Sequence, residues 1–200
     1  MTVLSLFDYS GTWSRPFRQV AHVVQVDIKH GINIMSWDYR QHKNVVGILA
    51  APPCTDFAVS GAQYWPEKDK DGRTAQSIAL VRKVLEIVEY HQPRFWALEN
   101  PAGRIEKCVP ELRGKRMLSF HPCDFGDPYT KRTILWGYFN PFLVRRPVTP
   151  ERVCSQGSWL QKLGGKSEKT KELRSVTPTG FAQAFFEAQK IYFRQKNNII

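Results

Sequence analysis

The residues best suited to chemistry in this chain are a cysteine that follows two prolines and a glutamate that ends an apolar run. In Ala51-Pro52-Pro53-Cys54 the prolines fix the backbone just before Cys54, which suits rigid presentation of a thiolate into a cleft. A lone cysteine after a turn is more often an inert buried residue, so Cys54 needs partners before it counts as a nucleophile. Glu99 closes the run Phe95-Trp96-Ala97-Leu98, where a carboxyl group is placed for proton transfer rather than packing. The same stretch, with Asn100 before Pro101, reads equally well as a helix start. Leu6-Phe7-Asp8-Tyr9-Ser10-Gly11-Thr12 runs from a strand into a Ser/Gly turn, whose N–H groups suit a nucleotide-like cofactor. Asp27 follows about 20 residues later, where a ribose-binding acid belongs. Lys131-Arg132, between Pro128 and the strand Thr133–Trp136, suits a phosphate or a base oxygen, or is an ordinary basic turn.

These residues need a scaffold, and the hydrophobic pattern supplies one. Strand-like runs at Thr2–Phe7, Val20–Asp27, Asn44–Ala51, Phe95–Leu98, Met117–His121 and Thr133–Gly137 are broken by turn residues. Thr74–His91 and Gly180–Arg194 carry helical spacing, the second through Phe181, Ala184, Phe185, Ala188 and Ile191. Strands alternating with helices predict a mostly parallel sheet, in which reactive residues sit at the carboxyl ends of strands. Asp8–Gly11, Asp27, Pro53-Cys54 and Glu99-Asn100 all fall at such ends. The charged run Glu67–Asp71 reads as solvated.

Composition limits the function. The 200 residues suffice for one domain with a real core. Apolar residues at 42% and charged residues at 24% describe a globular chain. No apolar window approaches the ~20 residues of a membrane span, and the N-terminus lacks a basic stretch before its first apolar run. Cys54, Cys108, Cys123 and Cys154 form no CxxC pair, so neither a metal cage nor a disulfide framework is expected. The reading is a soluble, cytoplasmic protein in a reducing compartment. A net charge of +11 makes a polyanion the leading partner.

The order of these signals is more specific than any one of them. A strand-turn, an acid after the second strand, PPC, D-x-R before a helix, E-N, and D-F-G-x-P with a basic pair resembles the DNA cytosine (carbon-5) methyltransferase family. The resemblance runs from Leu4 to about Ala188. Pro52-Pro53-Cys54-Thr55-Asp56-Phe57 with Ser60-Gly61 is similar to P-P-C-x-x-F-S. Asp71-Gly72-Arg73 is similar to D-x-R, and Pro93 to Asn100 with Gly103 to P-x-x-x-x-x-E-N-V-x-G. Asp124-Phe125-Gly126-Asp127-Pro128 leading into Arg132 resembles P-Q-x-R-x-R, and Ser175-Val176-Thr177-Pro178 the last motif.

The resemblance implies a Rossmann-like class I methyltransferase fold: a mostly parallel central sheet with helices on both faces. It implies S-adenosylmethionine as cofactor, DNA with a flipped cytosine as substrate, a phage or restriction-modification setting, and no metal. Cys54, Glu99, Arg132 and Asn100 become the catalytic set. Phe7, Asp8, Ser10, Gly11, Thr12, Trp13, Asp27, Ile28, Asp38, Tyr39, Pro53, Ser175 and Val176 become the cofactor set. Ser60, Arg73, Lys131, Arg145, Arg146, Arg152, Lys162 and Lys166 become the DNA contacts, with Lys169 and Lys171 adding phosphate affinity. The expected division is a catalytic domain over 1–137, a basic insert over 138–174 and a returning C-terminal helix over 175–200. The chain departs from the family at Tyr9, in place of the first turn glycine, at Thr55 and Tyr129, each in place of glutamine, and at Arg174, in place of asparagine. Its basic motif is one residue short.

The insert is the largest departure. It carries eight basic and three acidic residues between Phe139 and Arg174 and is too short for its own core. Short or relaxed sequence specificity follows, with affinity from phosphate contacts; the expected state is a monomer, with a protein partner as a further source of sequence recognition. The alternatives are an RNA cytosine-5 methyltransferase and a DNA-binding module with a degenerate cofactor site.

Overall fold

The computed structural model describes residues 1–155, 157–163 and 167–194. Within these residues six strands form one sheet: β1 (Thr2–Leu6), β2 (His22–Val26), β3 (Val45–Ala50), β4 (Phe95–Pro101), β5 (Arg116–Phe120) and β6 (Thr133–Tyr138). Their order is β2-β1-β3-β4-β6-β5. β1 pairs parallel with β2 and β3, and β3 parallel with β4, while β6 runs antiparallel between β4 and β5. Among the described residues six helices accompany the sheet: α1 (Trp65–Lys70), α2 (Arg73–His91), α3 (Ile105–Cys108), α4 (Trp159–Lys162), α5 (Glu168–Ser175) and α6 (Thr179–Gln189). This is an α/β arrangement around a mostly parallel sheet, and it sets the carboxyl ends of β1 to β4 along one edge.

Strand alternation divides the core in two. Leu4, Leu6, Ile48, Ala50, Trp96, Leu98, Ile134 and Trp136 face Val81, Val84 and Ile87 of α2. Val3, Leu49, Phe95, Ala97 and Leu135 face Phe181, Ala182, Phe185 and Phe186 of α6. β3 is buried along its whole length, as a strand covered on both faces must be. The α6 side is an aromatic cluster, with Phe120 stacked on Phe181 at 4.3 Å and Phe17 edge-on to Phe186 at 5.1 Å.

Two connections differ from the simple strand–helix alternation. β1 and β2 are joined by one 3-10 turn, Arg15–Gln19, with Pro16 in its first turn. Phe17 from that turn fills the space where a longer helix would pack. The second amphipathic segment also does not run as one helix to Arg194. α6 ends at Gln189, and a 3-10 turn covers Lys190–Phe193. Gln189 is fully buried, and its amide binds Asn140 through both the N–H (2.8 Å) and the carbonyl (3.0 Å). That pairing fastens the end of the helix to the start of the insert.

From Phe139 to Val153 the chain has no helix or strand. It is a strap held by backbone bonds to the segment after β5: Arg146 N–H to Asp124 (3.0 Å), Val148 N–H to Cys123 (2.9 Å) and Glu151 N–H to Pro128 (2.9 Å). Among the described residues no helix is long and apolar enough to cross a membrane.

Candidate active site

Cys54 lies four residues beyond the end of β3, where its carbonyl accepts the N–H of Phe57 (3.0 Å) and of Ala58 (2.8 Å). The cysteine therefore opens a tight turn, with Pro52 buried behind it. Asn100 of β4 is fully buried and donates from Nδ2 to the carbonyl of Pro52 (3.0 Å). The side chain next to Glu99 thus braces the loop that carries the thiol. Glu99 pairs with Lys131 at 3.6 Å, and each side chain is only 14% exposed. Lys131 Nζ also donates to the carbonyl of Arg174 (3.3 Å), just before the last motif.

The three groups act on one another. Burial pushes the Cys54 thiol above its ordinary range, the Lys131 ammonium pulls it back down, and the Glu99 carboxylate pushes it up again. Lys131→Met should therefore move the thiol still further up. Its activity-against-pH curve should rise at a higher pH than that of the unmodified protein, measured by methyl transfer from pH 6 to 10.

The loop after Cys54 is fitted closely to the loop after β4. Ala58 and Gly103 form an isolated antiparallel bridge, and Val59 N–H reaches Ala102 O (3.0 Å). A Cβ on Gly103 would lie 1.9 Å from the Phe57 carbonyl oxygen. Glycine is required here for backbone approach, not for an unusual φ. Gly103→Ala should cost about 1–3 kcal/mol or more in urea unfolding, as overpacking does, and should lower activity in the same variant.

The turn after β1 explains how Tyr9 is accommodated. The left-handed conformations in this turn fall on Phe7 (φ 60) and Gly11 (φ 66), not on Tyr9. The Tyr9 ring points outward, 48% exposed, against His30 at 5.1 Å and below Lys29 Nζ at 5.1 Å. Gly11 is needed because a Cβ there would meet Gln25 Nε2 at 2.8 Å, and Gln25 Nε2 itself binds the Asp8 carbonyl at 2.8 Å.

The expected cofactor residues separate into two groups. Asp27 caps the 3-10 turn Ile28–His30 through Lys29 N–H (2.9 Å), and Ile28 beside it is 67% exposed. Asp38 caps the turn Tyr39–Gln41 and is exposed, and Ser10, Pro53, Ser175 and Val176 are exposed as well. Thr12 and Phe7 are half-buried. Asp8, Trp13 and Tyr39 instead turn inward. The Asp8 carboxylate takes the hydroxyls of Ser5 (2.8 Å) and Ser14 (2.7 Å). Trp13 packs edge-on against Phe185 at 5.6 Å. The buried Tyr39 donates its hydroxyl to Glu86 at 2.6 Å. Their physical role is to shape the turns from below.

The expected cations also sort differently. Lys131, anticipated at DNA, is the cation beside Glu99, while the Arg132 side chain is exposed and its carbonyl accepts Ala102 N–H (2.9 Å). Arg73 is exposed and paired with Asp71 and Glu67. Arg145 pairs with Asp124 (3.4 Å), Arg146 and Ser60 are exposed, and Arg152 donates to the carbonyls of Cys154 and Ser155. Lys166 lies outside the described residues, as do the side chains of Lys162, Lys169 and Lys171. All four cysteines are free, and among the described residues no three His, Cys, Asp or Glu cluster as a metal site would.

Two residues near the cysteine escaped the sequence reading. Lys68, inside a run taken as solvated, is 5% exposed and pairs with Asp56 at 3.1 Å. Arg104 donates to the Asp56 carbonyl (3.0 Å). The only local signal for Lys68 is its place on α1 three residues after the partly buried Trp65.

No protein-family model matches the chain. A curated relative, the "Probable DNA (cytosine-5)-methyltransferase" of Frog virus 3 (isolate Goorha), is 28% identical over 207 aligned positions. The alignment spans 89% of this chain and 95% of the viral protein. Among solved structures, a prophage-encoded DNA modification methyltransferase of E. coli is 18% identical with a TM-score of 0.44. That match covers 84% of this chain but 56% of the prophage protein, so the chain spans little more than half its length. Along nearly its whole length, then, this chain is similar to a viral protein named as a DNA (cytosine-5)-methyltransferase.

Proposed function

We propose that the chain transfers a methyl group from S-adenosylmethionine to carbon 5 of cytosine in DNA, through a covalent adduct at Cys54. The observation that carries this reading is the meeting of the Cys54 thiol, the Glu99 carboxylate and the Lys131 ammonium at the carboxyl edge of the sheet. The viral relative, by its name, points to DNA and to carbon 5.

The residues present fit the cofactor. Asp27 sits at the carboxyl end of β2 beside exposed Ile28, which suits a ribose next to a flat apolar ring. Asp38 and the turn around Ser10 to Thr12 would complete the contact, with Asp8 holding that turn from beneath. When bound, S-adenosylmethionine supplies an electrophilic methyl group at its sulfonium.

The chain's own residues do the rest. A cytosine that leaves the base stack is brought to the Cys54 loop beside Glu99. The Cys54 thiolate forms a bond to carbon 6, a soft nucleophile meeting an electron-poor carbon. Glu99, having taken up the proton that the Cys54 thiol gives off, delivers it to ring nitrogen 3, so the displaced electron pair is held in a neutral enamine. Lys131 favours the thiolate before attack and steadies the base oxygen afterwards. Once carbon 5 carries the methyl group, loss of its proton to water, return of the nitrogen 3 proton to Glu99 and departure of Cys54 as thiolate restore the ring. Asn100 keeps the loop in place through Pro52.

Beyond the strap from Phe139 to Val153, the described part of the insert carries just the short helices α4 and α5, so sequence recognition is short or relaxed and phosphates supply much of the affinity. The chain acts as a monomer. The test is transfer of a labelled methyl group from S-adenosylmethionine to duplex DNA, single-stranded DNA and RNA, with the product base identified. 5-Methylcytosine in DNA is the expected result. Transfer to RNA alone would replace the substrate in this reading, and no transfer to any of the three would overturn it.

A further inference from the structure

A buried lysine is costly unless its charge is matched. Lys68 is 5% exposed, and its ammonium lies 3.1 Å from Asp56, itself 8% exposed. The other Asp56 oxygen accepts the hydroxyl of buried Ser77, on α2. The same Lys68 ammonium donates to the carbonyl of Thr55, the residue after the cysteine.

Arg104, from the loop after β4, approaches the same stretch. Its Nε donates to the Asp56 carbonyl at 3.0 Å, and its backbone N–H donates to the Phe57 carbonyl at 2.9 Å. Two 2.7 Å bonds to Asp69 hold its guanidinium, which lies over the Trp65 ring at 4.6 Å. The Cys54 carbonyl is taken by Phe57 and Ala58. Four consecutive carbonyls, 54 to 57, are therefore each engaged, two of them by cationic side chains. Charge-assisted bonds of this kind are stronger than neutral ones.

The geometry points to a clamp. Lys68 and Arg104 fix the Cys54 loop in its reactive position before substrate arrives, with Lys68 as a positioning residue that never touches the base. α1 and the start of α2 exist in part to carry the clamp, through Lys68, Asp69 and Ser77. This inference rests on the role proposed for Cys54 above, and its test carries a readout that does not need methyl transfer.

The experiment compares the unmodified protein with Lys68→Met and with Lys68→Met/Asp56→Asn. The double variant removes both buried charges, so it does not leave Asp56 unpaired. Iodoacetamide alkylation of each cysteine is followed by peptide mass spectrometry, beside methyl-transfer kinetics. With the clamp gone, Cys54 should alkylate faster while Cys108, Cys123 and Cys154 keep their rates. kcat should fall by roughly 10- to 100-fold, as misplacement of a reacting group does, with KM for S-adenosylmethionine unchanged. If all four cysteines speed up together, the residues serve global stability and the clamp is wrong. If neither Cys54 alkylation nor kcat changes, it is equally wrong. Should neither variant fold, hydrogen exchange on the unmodified protein decides. Slow exchange of the Phe57 and Ala58 amides without DNA supports the clamp, and fast exchange overturns it. If the unmodified protein transfers no methyl group at all, the proposed activity fails, while the alkylation pattern still judges the clamp.

Discussion

Cys54→Ala should lower methyl transfer by about 10^4-fold or more, because the covalent step loses its only nucleophile. The side chain is half-buried, and the carbonyls of its turn are held by backbone N–H groups and by Lys68, Arg104 and Asn100, so alanine at position 54 keeps those bonds. Thermal unfolding should therefore change little, and binding of S-adenosylmethionine, measured by calorimetry, should persist. A variant that retained substantial activity would remove the covalent route altogether.

The second large effect is at Glu99. Glu99→Gln keeps the volume and the hydrogen-bonding reach but cannot hand a proton to ring nitrogen 3. Loss of a general acid costs typically about 10^2- to 10^4-fold, and kcat should fall by that order. Glutamine also abolishes the ion pair with Lys131, which lies 3.6 Å away, and leaves that ammonium to act on the thiol alone. Removing the Glu99 charge should thus ease ionisation of Cys54, since Glu99 raises that thiol. In Glu99→Gln the alkylation of Cys54 should become faster at neutral pH while catalysis becomes slower. Parallel loss of both would mean that the carboxylate supports the fold of the loop rather than the reaction.

The proposed pair, Cys54 and Glu99, was legible because its signals are local. Pro52-Pro53-Cys54 and Glu99-Asn100 each follow a short apolar run, and strand ends in a parallel sheet converge without any knowledge of long-range packing. The sheet itself was legible from the same runs. What the pattern could not convey was which way individual side chains turn. Trp13 and Tyr39 look like exposed aromatic contacts in a turn, yet a tightly packed aromatic core and Glu86 draw them inward. Lys131 and Arg132 are adjacent and chemically alike, and only the antiparallel entry into β6 decides that the first faces Glu99. Lys68 was hidden in Glu67-Lys68-Asp69-Lys70-Asp71, where charge density argues for solvent. Its partner Asp56 is twelve residues away and its neighbour Arg104 much further, so only the fold brings them together.

Tyr9 shows the reverse case. A tyrosine in place of a turn glycine suggests a damaged cofactor turn, because glycine usually marks a positive φ. Here the positive φ values sit at Phe7 and Gly11, so Tyr9 needs no unusual backbone and its ring is free to pack on His30. The substitution changes the rim of the turn, not its path.

The central claim is that Cys54 forms a covalent bond to a cytosine carried by DNA. A duplex with 5-fluorocytosine blocks loss of the substituent at carbon 5, so a methylating enzyme of this kind becomes trapped on its substrate. Incubation with S-adenosylmethionine, followed by denaturing electrophoresis and peptide mass spectrometry, reads the outcome directly. The account predicts a DNA–protein adduct that depends on the cofactor, maps to the peptide containing Cys54 and is absent from Cys54→Ala. Methyl transfer without any adduct, or an adduct on another residue, would contradict it.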